Sequence, residues 1–97
     1  MARPQKLSEA ELASALGGLA GWELRAGKLH REFRFGDFRA AFAFMTRCAL
    51  AAEALDHHPD WSNVYSRVSV DLQTHDAGGI TSLDLELARL MSQYAQA

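Results

Sequence analysis

Leu55-Asp56-His57-His58-Pro59-Asp60-Trp61 marks the point where the apolar pattern changes, from a helical spacing on its N-terminal side to strict alternation beyond it. Pro59 cannot continue a helix and biases His58 toward extended backbone. Upstream, with Asp37 as a candidate N-cap, good helix formers run from Phe38 to Leu55 without Gly or Pro. Two apolar stripes run along this helix, one through Phe38, Phe42, Met45, Ala49 and Ala52, the other through Phe44, Cys48, Ala51 and Leu55. A single buried face needs less, so the helix is expected to be two-sided, with one side available for a subunit contact, the bland alternative being a broad core face under a small sheet. Downstream, Val64, Ser66, Val68, Val70 and Leu72 alternate with Tyr65, Arg67, Ser69, Asp71 and Gln73, which predicts a strand, or two strands broken near Ser66. The same parity puts His75 on the polar side with Asp71 and Gln73.

Working outward, Ser8-Glu9-Ala10-Glu11 reads as a capping box, with Leu7 and Leu12 spaced for a hydrophobic staple, and Gly17-Gly18 ends this first helix. Trp22 to Arg25 and Leu29 to Phe35 form two alternating arms around an Ala26-Gly27 turn, hence a hairpin. Arg31 falls on the apolar parity of the second arm, which suggests a strand near the sheet edge or the end of its buried face. Asp76-Ala77-Gly78-Gly79 is a turn, and Thr81-Ser82-Leu83-Asp84 resembles a capping box with Asp in place of Glu. It opens a last helix with Leu83, Leu87, Leu90, Met91 and Tyr94 on one face. The order α-β-β-α-β-β-α lacks the repeated βαβ of a doubly wound fold. It predicts a two-layer α+β architecture, an antiparallel sheet with helices packed on one face.

The 97 residues have room for one domain over 1–97, with residues 1–6 expected to be loose, and oligomerisation commonly supplements a core of this size. Ten basic and twelve acidic residues, with no Lys/Arg block, argue against direct nucleic-acid binding. Cys48 is alone, and no apolar stretch is long enough for a signal peptide or a membrane span, so cytoplasm is the default location.

Acid–base chemistry is the reading that His57, His58 and His75 invite, because imidazole both gives and takes protons near neutral pH. Trp61 and Tyr65 could wall a planar heterocycle, and Glu53, Asp56, Asp60 and Asp76 could accept from its N–H groups. The bland alternatives are a solvated polar helix end for the histidines and a core position for Trp61. A metal site is disfavoured, since adjacent histidines point apart, no HxH or HxxxH pair is present, and Cys48 lies on an apolar stripe.

The stretch Glu53-Ala54-Leu55-Asp56-His57-His58-Pro59-Asp60-Trp61, followed by Asn63-Val64-Tyr65, Val68 and Leu72-Gln73-Thr74-His75-Asp76, closely resembles the pterin-4a-carbinolamine dehydratases. Phe42 to Arg47, Asp84 to Ala88 and Gly21-Trp22 extend the resemblance over most of the chain beyond Leu7. It implies a one-sided antiparallel sheet, a homodimer or homotetramer, no metal and no cofactor. It further implies dehydration of a 4a-hydroxytetrahydropterin to quinonoid dihydropterin, in tetrahydrobiopterin recycling. Carried over by motif position, His57, His58 and His75 match the active-site histidines, and Glu53, Asp56, Trp61, Thr74 and Asp76 match positions in or beside the pterin pocket. His58 and His75 are the expected proton-transfer groups, with His57 binding and orienting the pterin. Asp60 and Asp76 stand where animal members often have Glu. The rival readings are a non-catalytic dimerisation or transcription-cofactor module that uses the central helix, and pterin handling in molybdopterin metabolism. The module reading predicts lost binding on changing Phe44, Cys48 or Leu55.

Overall fold

The computed structural model describes residues 4–96. Its elements are α1 (Glu9–Leu16), β1 (Glu23–Arg25), β2 (Lys28–Arg34), α2 (Phe38–Leu55), β3 (Asp60–Val64), β4 (Arg67–Leu72), a 3-10 turn (His75–Ala77) and α3 (Ser82–Gln96). The strands form one antiparallel sheet in the order β1-β2-β4-β3, so the expected α+β architecture and element order hold.

Alternation decides the faces of this sheet. Leu29 and Phe33 of β2 and Val68, Val70 and Leu72 of β4 are buried on one side, against Ala41, Phe44, Cys48 and Ala52 of α2 and Leu87, Ala88 and Met91 of α3. Residues of the opposite parity, among them Lys28, His30, Asp60 and Asp71, occupy the outer face.

Helix α2 is two-sided, but its faces divide differently from the predicted stripes. Phe44 and Cys48 are core, whereas Phe38 and Phe42 are exposed, their rings 5.6 Å apart, and Leu50 is 70% exposed. Changing Phe44 or Cys48 would therefore damage the core rather than probe a partner surface. Burial also pushes the Cys48 thiol up to about 12, so it stays protonated at neutral pH and is no nucleophile.

Arg31 corrects a second expectation. Strand β2 lies inside the sheet, not at its edge, and Arg31 keeps the inward parity by laying its guanidinium 4.4 Å from the Phe33 ring centroid. Its Nη1 donates to the Ala20 carbonyl and the Ser92 hydroxyl at 3.1 and 3.0 Å. A cation can occupy the apolar parity when a ring and two oxygens receive it.

At the N-terminus both halves of the Ser8/Glu11 capping box form, and Leu7 N–H donates to the Ile80 carbonyl at 2.9 Å. The Lys6 side chain lies against Gly79, while residues 1–3 of the segment expected to be loose fall outside the described residues. No helix among the described residues is long and apolar enough to cross a membrane.

The β1–β2 hairpin turns through Ala26 and Gly27, both with positive φ, 52° and 77°. This is the left-handed pair that a two-residue type I′ turn requires, and Ala is poorly suited to its first position. Ala26→Asn should therefore raise stability by about 0.5–1 kcal/mol in urea unfolding, and a loss of stability would contradict the turn geometry.

Candidate active site

The end of α2 controls where the two adjacent histidines go. Asp56 adopts the left-handed conformation (φ 51°, ψ 44°), with its N–H donating to the Glu53 carbonyl at 3.1 Å and that of His57 to the Ala52 carbonyl at 3.0 Å. This Schellman pairing stops the helix in one residue. His57 turns inward, 4% exposed, and His58 stays outside.

His57 Nε2 lies 2.5 Å from Asp84 Oδ1, and Asp84 is fully buried. The other Asp84 oxygen accepts from the Thr81 N–H and the Thr74 hydroxyl, both at 2.9 Å. Because the Thr74 proton is spent on Asp84, the Thr81 hydroxyl donates to Thr74 Oγ1 at 2.7 Å, and it accepts from the Leu83 N–H at 3.2 Å. One carboxylate thus joins the end of α2, the segment after β4 and the start of α3. The capping-box reading anticipated the Thr81–Asp84 bond. The bond to His57 was missed, since nothing in local spacing reports a partner 27 residues away.

On the outside, His58 Nε2 lies 2.8 Å from Glu53 Oε1, an interaction that orients the ring. An open cleft of about 200 Å³ is lined by His58, Pro59 and Asp60 at the start of β3, by Asp71, Gln73 and His75 in and after β4, and by Lys28 of β2. The structure therefore brings His58 and His75 to one recess and keeps His57 beneath it. Larger recesses elsewhere, such as the one bordered by Arg31, Arg89 and Ser92, hold no histidine pair.

None of the other expected residues lines this cleft. Glu53 reaches it through His58, and Asp56 is exposed at the helix stop. Thr74 is buried in the Asp84 network, and Trp61 packs half-buried against the core from the inner face of β3. Asp76 borders a neighbouring recess with Pro4, Lys6 and Ala77. Tyr65, the second wall suggested for a heterocycle, is 80% exposed at the β3–β4 tip, roughly 16 Å along the strand from Asp60, and belongs to no such wall. Lys28, Asp71 and Gln73 escaped the sequence reading as site residues. The outward parity shared by Asp71, Gln73 and His75 was the available signal. Among the described residues no group of three or more His, Cys, Asp or Glu gathers as a metal site.

Removing the carboxylate beneath the cleft would strand a buried imidazole, a hydroxyl and a backbone N–H. Asp84→Ala should therefore cost about 2–4 kcal/mol in urea unfolding, and a cost under about 1 kcal/mol would show that the network bears little stability.

A solved structure shares this architecture. A Brucella melitensis crystal structure described as transcriptional coactivator/pterin dehydratase superposes with a TM-score of 0.91 at 47% identity, covering 94% of this chain and 99% of that one. A Solibacter usitatus protein named for pterin-4-alpha-carbinolamine dehydratase is 56% identical over 90 residues, 93% of this chain and 95% of its own. One from a Chelativorans species with the same name is 55% identical over 97 residues, 98% of each chain. The family model for pterin 4 alpha carbinolamine dehydratase matches residues 5–94, and the chain belongs to that family.

Proposed function

We propose that the protein dehydrates a 4a-hydroxytetrahydropterin to the quinonoid dihydropterin, with histidines moving the protons, as a step of tetrahydrobiopterin recycling. Relatives named for this activity support the reaction. The observation that carries the histidine mechanism is the convergence of His58 and His75 on one open cleft.

Loss of water breaks the C4a–O bond and forms the C4a=N5 bond. The departing oxygen takes a proton and N5 gives one up, so one acid and one base suffice, and the proton count closes without any other reactant. His58 and His75, which line the same cleft, are the two carriers in this proposal. Glu53 holds the His58 ring, while Asp60, Asp71 and Gln73 supply polar contacts at the rim. His57 serves from below. Its bond to Asp84 anchors the turn that presents His58, so it orients the pterin through the loop rather than by reaching into the cleft. Thr74 supports the cleft through the Asp84 network and Asp56 forms the helix stop before it, while Trp61 and Asp76 lie outside its lining.

The exposed face of α2 favours assembly. Phe38, Phe42 and Leu50 leave an apolar strip outside the core, and we assign it to contact between copies, as a homodimer or homotetramer. The same strip would serve a non-catalytic binding role of the kind that the Brucella protein's coactivator description suggests.

The rate of disappearance of freshly generated 4a-hydroxytetrahydropterin, followed by ultraviolet absorbance, tests the activity. Wild type should accelerate it, and His58→Ala and His75→Ala should each lose about tenfold or more while keeping their circular dichroism. An unaltered spontaneous rate with wild type would refute the reaction, and fully active histidine variants would refute the mechanism. For the assembly, light scattering should give a wild-type mass that is a multiple of 10.7 kDa, reduced by Phe42→Glu. A wild-type mass of one chain would remove the self-contact.

A further inference from the structure

Asp71, named above only as a polar group of the rim, is a carboxylate of the cleft that moves no proton in the dehydration scheme. Asp71 lies on the outer face of β4, paired across the sheet with His30 on β2 and Asp60 on β3. Its side chain is 33% exposed and lines the cleft with His58 and His75. Asp60, the other carboxylate of the rim, has a cation, since Lys28 Nζ stands 3.7 Å from its Oδ2. Asp71 has none. Its side-chain partner among the described residues is His30, whose Nδ1 lies 2.9 Å from Asp71 Oδ1.

The protons on this pair can be placed from the neighbours. Arg25 Nη1 lies 3.2 Å from His30 Nε2, and a guanidinium only donates, so Nε2 accepts and Nδ1–H is the group that donates to Asp71. His30 is 8% exposed and fixed at both ring nitrogens. The arrangement therefore orients the Asp71 carboxylate with a neutral imidazole and leaves its charge uncancelled. Oδ2 remains open to a ligand. A fixed, cation-free carboxylate at a cleft wall suits a partner with two parallel N–H donors, as in an amidine or a 2-amino-pyrimidinone edge.

We propose that Asp71 is a specificity-determining residue that accepts from the 2-amino and N3–H groups of the pterin, and that His30 is its positioning residue. The proposal rests on the pterin reading of the cleft. It distinguishes the pair from a cross-strand contact that only stabilises the sheet, because a stabilising contact would be indifferent to the ligand's 2-amino group.

The test compares binding of 7,8-dihydropterin with that of its 2-oxo counterpart, by fluorescence titration and as inhibition of dehydration, in wild type, Asp71→Asn, His30→Leu and His30→Asn. Wild type should favour the 2-amino ligand by about tenfold or more, and Asp71→Asn should bring the two ligands within about threefold. In turnover, Asp71→Asn should raise KM about tenfold with kcat changed less than about threefold, the pattern of a lost binding contact. His30→Leu should move in the same direction, and His30→Asn, which can return a side-chain N–H, should recover most of the loss. The ligand ratio is taken within one preparation, so a partly unfolded variant does not distort it. An undiminished preference in Asp71→Asn overturns the assignment of Asp71, and His30→Asn no better than His30→Leu overturns that of His30. If wild type binds the ligands with this preference but leaves dehydration at the spontaneous rate, the reaction fails and the recognition stands.

Discussion

The buried carboxylate of Asp84 is the constraint on which the working end of the molecule depends. A fully buried acid must have its oxygens satisfied, and here they take His57, the Thr74 hydroxyl and the Thr81 N–H. These partners come from three segments, the most distant of them 27 positions from Asp84. Satisfying one group therefore fixes the end of α2, the exit of β4 and the entry of α3 against one another. Once these are fixed, His58 and His75, next in sequence to His57 and Thr74, are fixed as well. The cleft inherits its geometry from a network that it does not expose.

Two adjacent histidines acquire different surroundings through backbone alone. The left-handed residue at Asp56 ends α2 abruptly, and Pro59 then holds the chain extended, so His57 faces the core and His58 the outside. Had the helix frayed gradually, the two rings could have remained equivalent and solvated. The sheet makes the complementary contribution, since outward parity carries Asp71, Gln73 and His75 to the same rim. Antiparallel pairing with β2 and β3 adds His30 and Asp60 opposite Asp71.

Local chemistry made most of the fold readable. The Ser8/Glu11 box, the Ala26-Gly27 turn, the uninterrupted run from Phe38 to Leu55 and the alternation of β4 each reflect interactions within a few residues, and each is present. What escaped was long-range. Arg31 looked like an edge residue because Phe33, Ala20 and Ser92 could not be known to receive it. The two stripes of α2 had similar composition, so only packing could show that Phe44 and Cys48 face inward while Phe38 and Phe42 do not. The histidine motif pointed to the residues that meet at the candidate cleft, yet His30 belongs to no local pattern. It meets Asp71 through strand register, 41 positions away.

Backbone strain occurs both beside the cleft and in the scaffold. Ala26, Asp56 and Tyr65 are the non-glycine residues with positive φ among those described, each at a cost of roughly 1 kcal/mol relative to glycine. Strain alone does not mark function, since Ala26 and Tyr65 sit at hairpin tips where a better turn residue would serve the fold. Asp56 differs because it stands beside Glu53 and His58, and glycine there would relieve the strain only by deleting a carboxylate. A chain selected for stability alone would relax all three positions. At Ala26 the strain can be relaxed without touching the cleft, whereas at Asp56 its relief by glycine and the loss of a carboxylate come together.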